Sequence, residues 1–187
     1  ALKKLVGEDY EFLDEEEGTE LRDAKEFSSL LNACGRNGKG HVGIGVLMGD
    51  RGKMYKKARS ILEKHRKRLR DGIVWAEENG IDMGAFILLD GRGKIRDEII
   101  GTIAGMVFPI FGYSKPIIGL AIDERGMVKV SARSTFDLPF HMGEIMKELG
   151  NKYGTAGGGH KVAAGASIYE DNVEKFLEEL KEMLKWK

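Results

Sequence analysis

The sequence predicts an α/β fold: a mixed β-sheet flanked by helices, preceded by a long basic connecting helix. Three observations carry this. Residues 53–79 repeat apolar side chains at steps of three and four, the period of a helix with one buried face. After Asn79-Gly80 the pattern breaks into shorter runs in the order β-α-β-β-α-β-α, which implies a mixed sheet covered by helices. The 187 residues are 42% hydrophobic, enough to build a core, yet no apolar run approaches the roughly 18 residues of a membrane span.

Residues 1–18 are acidic and show little periodicity. From Asp23 to Cys34 the apolar Ala24, Phe27, Leu30, Leu31 and Cys34 recur at helical spacing, with Gly35 as the expected stop. Arg36-Asn37-Gly38-Lys39-Gly40 has the composition of a turn. Residues 42–48 are apolar but glycine-rich, and their pattern fits helix and strand alike. The helix over 53–79 places Met54, Ala58, Ile61, Leu62, His65, Leu69, Ile73 and Ala76 on one stripe, opposite a basic face. At 1.5 Å per residue it is about 40 Å long. Residues 85–89 read as a strand. Residues 97–108 read as a helix closed by Pro109, with Gly101 and Gly105 allowing close packing.

Residues 117–122 and 127–132 are β-rich runs joined by Asp123-Glu124-Arg125-Gly126, a hairpin signal. Residues 142–153 read as a helix, 154–165 as a glycine-rich stretch, and 166–169 as a last strand. The final helix carries Val173, Phe176, Leu177, Leu180 and Leu184 on its stripe, with Asp171 and Glu174 spaced as a capping box. The methionines Met48, Met54, Met106 and Met146 read as core filler.

Thirty basic and thirty acidic residues balance, so net charge names no partner. The distribution is uneven. Residues 1–26 hold ten acids against four bases, whereas residues 53–70 hold nine Lys or Arg against the single Glu63. The basic helix fits a nucleic-acid track and equally a solvated connector facing the acidic segment. A single cysteine, Cys34, excludes an internal disulfide and suits a reducing cytoplasm. The absence of glutamine, with 32% charged residues, leans towards a thermophile.

Two stretches carry chemistry. In Gly157-Gly158-Gly159-His160-Lys161, consecutive glycines let a backbone approach a ligand, their amides can form an anion nest, and the histidine and lysine add donors. In Ser131-Ala132-Arg133-Ser134, at the end of a predicted strand, an arginine near two hydroxyls can fork onto a phosphate. Gly38-Lys39-Gly40-His41-Val42-Gly43 matches a dinucleotide-binding pattern but follows a predicted helix where that fold requires a strand.

In this order and spacing, Arg133-Ser134, a helix entered through Gly143, and Gly157-Gly158-Gly159-His160 before Ala163-Ala164-Gly165 resemble the DHH-associated domain of the DHH phosphoesterase superfamily. Leu30-Leu31-Asn32-Ala33-Cys34-Gly35-Arg36 resembles the motif that RecJ-like proteins place between their two domains, with the cysteine variant of the archaeal branch. The resemblance divides the chain into an inter-domain remnant over 1–50, a connecting helix over 51–80 and a substrate-binding domain over 81–187. It implies that Asn32 and Arg36 lie near a scissile phosphate. It implies that Arg133, Ser134, Gly157, Gly158, Gly159, His160 and Lys161 hold a nucleic-acid backbone.

The Asp-His-His triplet and its companion aspartate motifs are absent, and the four histidines show no ligand spacing. A two-metal hydrolysis needs such carboxylates, so no catalytic residue is expected in this chain. Mn²⁺ or Mg²⁺ is expected in a missing N-terminal DHH domain. The resemblance implies the nucleic-acid-binding part of a RecJ-like exonuclease on single-stranded DNA or RNA, with a replication or repair complex as a candidate partner. Two alternatives are a phosphodiesterase for oligoribonucleotides or cyclic dinucleotides, and a non-catalytic nucleic-acid or protein-binding module.

Overall fold

The computed structural model describes residues 8–185. The first seven residues of the acidic N-terminal segment lie outside them. The chain forms two compact units, one ending at Arg68 and one starting at Leu69. Their division falls inside the long helix.

The first unit holds α1 (Ala24–Arg36), α2 (Gly40–Leu47) and the first part of α3 (Lys53–Asn79). The Asp23 carboxylate starts α1 by accepting from the Glu26 amide at 2.8 Å. Gly35 does not stop it: α1 runs one residue further, and the chain reverses at Gly38, where φ is +64°. The ambiguous run after it is helical. A Cβ on Gly45 would lie 2.8 Å from Met54 Cγ, so this glycine lets α2 sit close against α3. Leu30, Ala33, Cys34, Val42, Val46, Ala58 and Leu62 form the core of this unit.

The acidic segment engages the basic face of α3: Glu20 accepts from Arg59 at 3.1 Å and from the Tyr55 hydroxyl at 2.5 Å, and Glu26 pairs with Arg66. That favours the connector reading for this part of the helix. Met48 is 84% exposed and Met106 half exposed, so neither is core filler, whereas Met146 is fully buried.

The second unit is a six-stranded mixed sheet of β1 (Ile81–Asp82), β2 (Ile87–Asp90), β3 (Ile117–Ile122), β4 (Val128–Arg133), β5 (Gly154–Gly159) and β6 (Ala163–Ile168), in the spatial order β1-β2-β3-β4-β6-β5. The β2–β3 pairing is parallel and every other pairing is antiparallel. Alternation along the strands separates two cores. Leu88, Ile118, Leu120, Val130 and Ala132 meet α6 (Met142–Tyr153) and α7 (Val173–Met183) on one face. Ile87, Leu89, Ile117 and Ala121 meet α4 (Asp97–Met106) and the end of α3, through Ile73, Trp75 and Ala76, on the other.

Several local expectations change. The glycine-rich stretch is regular structure, forming β5, the turn after it and the start of β6. Pro109 does not close α4. It lies in α5 (Phe108–Phe111), where a missing N–H is harmless in the first turn. Asp171 and Glu174 form no capping box. A 3-10 turn over Glu170–Asn172 leads into α7 from Asn172, which makes no side-chain cap bond. Among the described residues no helix is long and apolar enough to cross a membrane.

Candidate nucleic-acid interface

Coverage of the sheet is unequal. Helix α4 packs over β3 and β4, and its face of β6 and β5 stays open. The result is a groove of ≈ 790 Å³ with a floor made by the register of three strands. Lys129 stands opposite Ser167, Ser131 opposite Gly165 and Arg133 opposite Ala163, and Gly165 in turn faces Gly158. The side chains that β5 and β6 contribute are small, and among the described residues no aromatic ring lines the groove. Its walls carry charge: Lys129, Arg133 and Arg125 against Asp97 and Asp123.

Arg133 is positioned by glycine. A Cβ at Gly105 would sit 3.9 Å from Arg133 Cδ, and one at Gly101 would sit 3.0 Å from Arg133 Nη2 and 3.0 Å from Ser131 Oγ. The arginine therefore lies along α4 in a notch that two missing side chains create. Its Nη1 donates to the Ala132 carbonyl at 2.9 Å. The notch foreseen for helix packing receives a guanidinium.

The three glycines differ in role. A Cβ on Gly157 would overlap the Met146 carbonyl oxygen, and one on Gly159 would lie 2.5 Å from Ala164 Cα. Both therefore allow backbone-to-backbone approach, α6 being the neighbour at Gly157. Only Gly158 opens to free space, and its φ of +151° still favours glycine. The carbonyls of His160 and Lys161 accept from the Gly143 and Met142 amides, at 3.1 and 3.0 Å. The hairpin turn thus caps α6 and satisfies amides that would otherwise attract an anion.

Of the residues expected to hold a nucleic-acid backbone, the structure brings Arg133, Gly157, Gly158 and Gly159 into one groove. Ser134, His160 and Lys161 do not line it. Ser134 is buried and its hydroxyl has no hydrogen-bond partner among the described residues. His160 is exposed on the hairpin tip, and Lys161 Nζ donates to the Phe136 carbonyl at 3.0 Å.

Asn32 and Arg36 belong to the first unit, exposed one turn apart on α1, with Arg36 Nε donating to Asn32 Oδ1 at 3.2 Å. Nearby, Arg68 Nη1 donates to Asn37 Oδ1 at 2.6 Å, and Asn37 Nδ2 lies 3.5 Å from Nδ1 of the buried His65. Burial, reinforced by the charges of Arg36 and Arg68, holds the His65 imidazole below its ordinary pKa. Its packed ring can serve through Nδ1 only as an acceptor for the Asn37 amide.

Sequence reasoning passed over Lys129, Arg125, Asp97 and Asp123. A strand period of two would have found Lys129, since positions 129, 131 and 133 share a face. Arg125 and Asp123 bind each other in the β3–β4 turn: Asp123 Oδ2 accepts from Arg125 Nη2 at 2.7 Å and Oδ1 from the Met127 amide at 3.0 Å. Burial pushes the Asp123 carboxyl up, but these donors outweigh it and hold the pKa low. At Asp97 burial wins. With Lys129 Nζ 3.6 Å away opposing it and Glu98 reinforcing it, the pKa is raised.

A protein of Methanocaldococcus jannaschii described as uncharacterized is 32% identical over 167 residues, covering 88% of this chain and 36% of its own length. The chain thus spans about a third of that relative. RecJ of Thermus thermophilus in complex with Mn²⁺ superposes with a TM-score of 0.70 at 17% identity, covering 86% of this chain and 24% of that one. A structure of exonuclease RecJ bound to manganese gives 0.69 at 17%, covering 86% and 40%. At such identities the likeness is one of fold. Those structures contain manganese; among the described residues here, no group of three or more His, Cys, Asp or Glu could hold a metal ion. The DHHA1 domain model matches residues 83–185, more than half of the sequence, and the chain belongs to that family, within the DHH superfamily and with the fold of RecJ.

Proposed function

We propose that this chain is the nucleic-acid-binding part of a RecJ-like, metal-dependent exonuclease that hydrolyses phosphodiester bonds of single-stranded DNA or RNA. The metal ions would be held in a DHH domain outside this chain. The observation that carries the reading is the open groove on the sheet. Its floor of Gly158, Gly165 and Ala163 admits a backbone at close range, and its wall presents Arg133, Lys129 and Arg125.

A fork-shaped guanidinium at Arg133 suits the paired oxygens of a phosphate. Without aromatic platforms the groove grips the sugar-phosphate chain and leaves the bases unread, as a sequence-independent nuclease requires. His160 and Lys161 would extend the contact at the hairpin tip, and Ser134 would support the strand end behind Arg133. Asn32 and Arg36 are assigned to the neighbourhood of the reacting phosphate on the strength of their motif.

The test is fluorescence anisotropy with a labelled single strand and the intact chain. A charge-assisted hydrogen bond contributes about 1.5–3 kcal/mol. Arg133→Ala is therefore expected to weaken binding at least about tenfold. Unchanged affinity would remove the groove from consideration.

A further inference from the structure

A groove that grips a polyanion has little use for a carboxylate, yet two line this one. Asp123 is accounted for, because its oxygens accept from the Arg125 guanidinium and from the Arg125 and Met127 amides and so fix the β3–β4 turn. Asp97 is less fully engaged: as a first-turn acid it suits the positive end of α4, and it forms an ion pair with Lys129. It opens α4, its side chain is 23% exposed, and Lys129 Nζ stands 3.6 Å away, beyond a normal hydrogen bond.

Its place along the groove is defined by the two elements that meet there. Arg133 Cδ lies beside Gly105 and Nη2 beside Gly101, so the guanidinium points along α4 towards its first turn. Asp97 is four residues before Gly101, about 6 Å further along the helix axis. Lys129 lies on the same face of β4 as Arg133, two strand periods away. Arg133 and Asp97 line the same groove, so a strand held at Arg133 and running along α4 towards its first turn would bring a sugar to Asp97. What a sugar offers a carboxylate is a hydroxyl donor, and the 2′-OH is the group that distinguishes RNA from DNA. The lack of aromatic rings argues against a base occupying that position.

We infer that Asp97, held opposite Lys129, accepts a hydrogen bond from a ribose 2′-OH and makes this groove selective for RNA over DNA. The inference rests on the groove being the nucleic-acid site. It also explains the carboxylate: against deoxyribose Asp97 meets only phosphate charge, which it repels, and against ribose it gains a donor.

The experiment measures anisotropy of the intact chain with three labelled ten-nucleotide adenosine strands of identical sequence: RNA, DNA and 2′-O-methyl RNA. The wild type is expected to bind RNA about tenfold more tightly than DNA, the effect of one hydrogen bond to a charged group. The 2′-O-methyl strand, which keeps the oxygen and loses the donor, is expected to follow DNA. Asp97→Ala is expected to erase the ratio, weakening RNA while leaving DNA binding equal or tighter.

Equal wild-type affinities for RNA and DNA overturn the inference, as does an Asp97→Ala loss shared equally by both. The three wild-type affinities decide the matter even if the variant folds poorly. Arg133→Ala, measured alongside, separates the two claims. A loss on every strand with no RNA preference in the wild type keeps the groove and removes Asp97's role. No loss on any strand removes the groove itself.

Discussion

Arg133 is held by what its neighbours lack. On α4, Gly101 and Gly105 leave a notch one turn long, and the guanidinium lies in it beside Ser131. The two glycines differ in how tightly they fit. A methyl group at Gly105 would make ordinary contact at 3.9 Å, whereas at Gly101 it would come within 3.0 Å of Arg133 Nη2 and of Ser131 Oγ. The crowded atoms at Gly101 include the mobile end of a long side chain, so the fold can yield by moving the arginine. Alanine in a helix interior is also favoured over glycine by about 0.8–1 kcal/mol. Gly101→Ala is thus expected to keep or raise the melting temperature while weakening single-strand binding severalfold, and Gly105→Ala to leave binding unchanged. Thermal melts and anisotropy titrations of the two variants check this. Arg133 was legible in the sequence as a cation at a strand end, and Lys129 could have been found by alternation. Asp97 could not, because its place beside β4 depends on how α4 crosses the sheet.

At the scale of elements, the close seating of α6 on β5 has the strictest sequence requirement. Gly143 and Gly150 on the helix face Gly159 and Ala156 on the strand, and Gly157 faces the Met146 carbonyl. Helix and strand backbones touch where side chains would normally intervene. Gly157→Ala would force α6 away from the sheet and disturb the core formed by Met142, Met146 and Leu149. Overpacking of this kind costs about 1–3 kcal/mol, and more when backbone must shift. Gly158→Ala meets open space and suffers only its unfavourable φ, a smaller loss of about 1–2 kcal/mol. Urea denaturation is expected to place Gly157→Ala well below Gly158→Ala in stability; the reverse order would refute this seating. The same contact explains what the sequence hid. Helices α1, α3 and α6 announce themselves through a 3.6-residue apolar period, and Asp23 caps α1 as its position suggests. Strand β5 has almost no side chains to alternate, so its residues carry no period and their glycines read as a loop or an anion nest. Their first purpose is packing.

Across the whole molecule, formal charge sums to zero, so any grip on nucleic acid must be local. The basic run over 53–70 was the most conspicuous charge feature of the sequence. In the first unit two of its cations, Arg59 and Arg66, pair with Glu20 and Glu26 from the N-terminal segment, and Arg51 just before the run pairs with Glu15. Such a long-range pairing of oppositely charged stretches cannot be read from local pattern, nor can a unit boundary inside a helix whose apolar stripe runs unbroken through it. If the strand is held by the groove, three cations, Arg133, Lys129 and Arg125, set the salt response. Each phosphate neutralised on a single strand contributes about −0.7 to the slope of log affinity against log salt. The expected slope is about −2, a loss of roughly twentyfold between 50 and 200 mM salt. Arg133→Ala should make it shallower by about 0.7. A strand that tracked the basic face of α3 would meet several more cations and give a slope of about −4 or steeper. Titrations at four salt concentrations distinguish the two: a steep slope indifferent to Arg133 would move the binding surface from the sheet to the long helix.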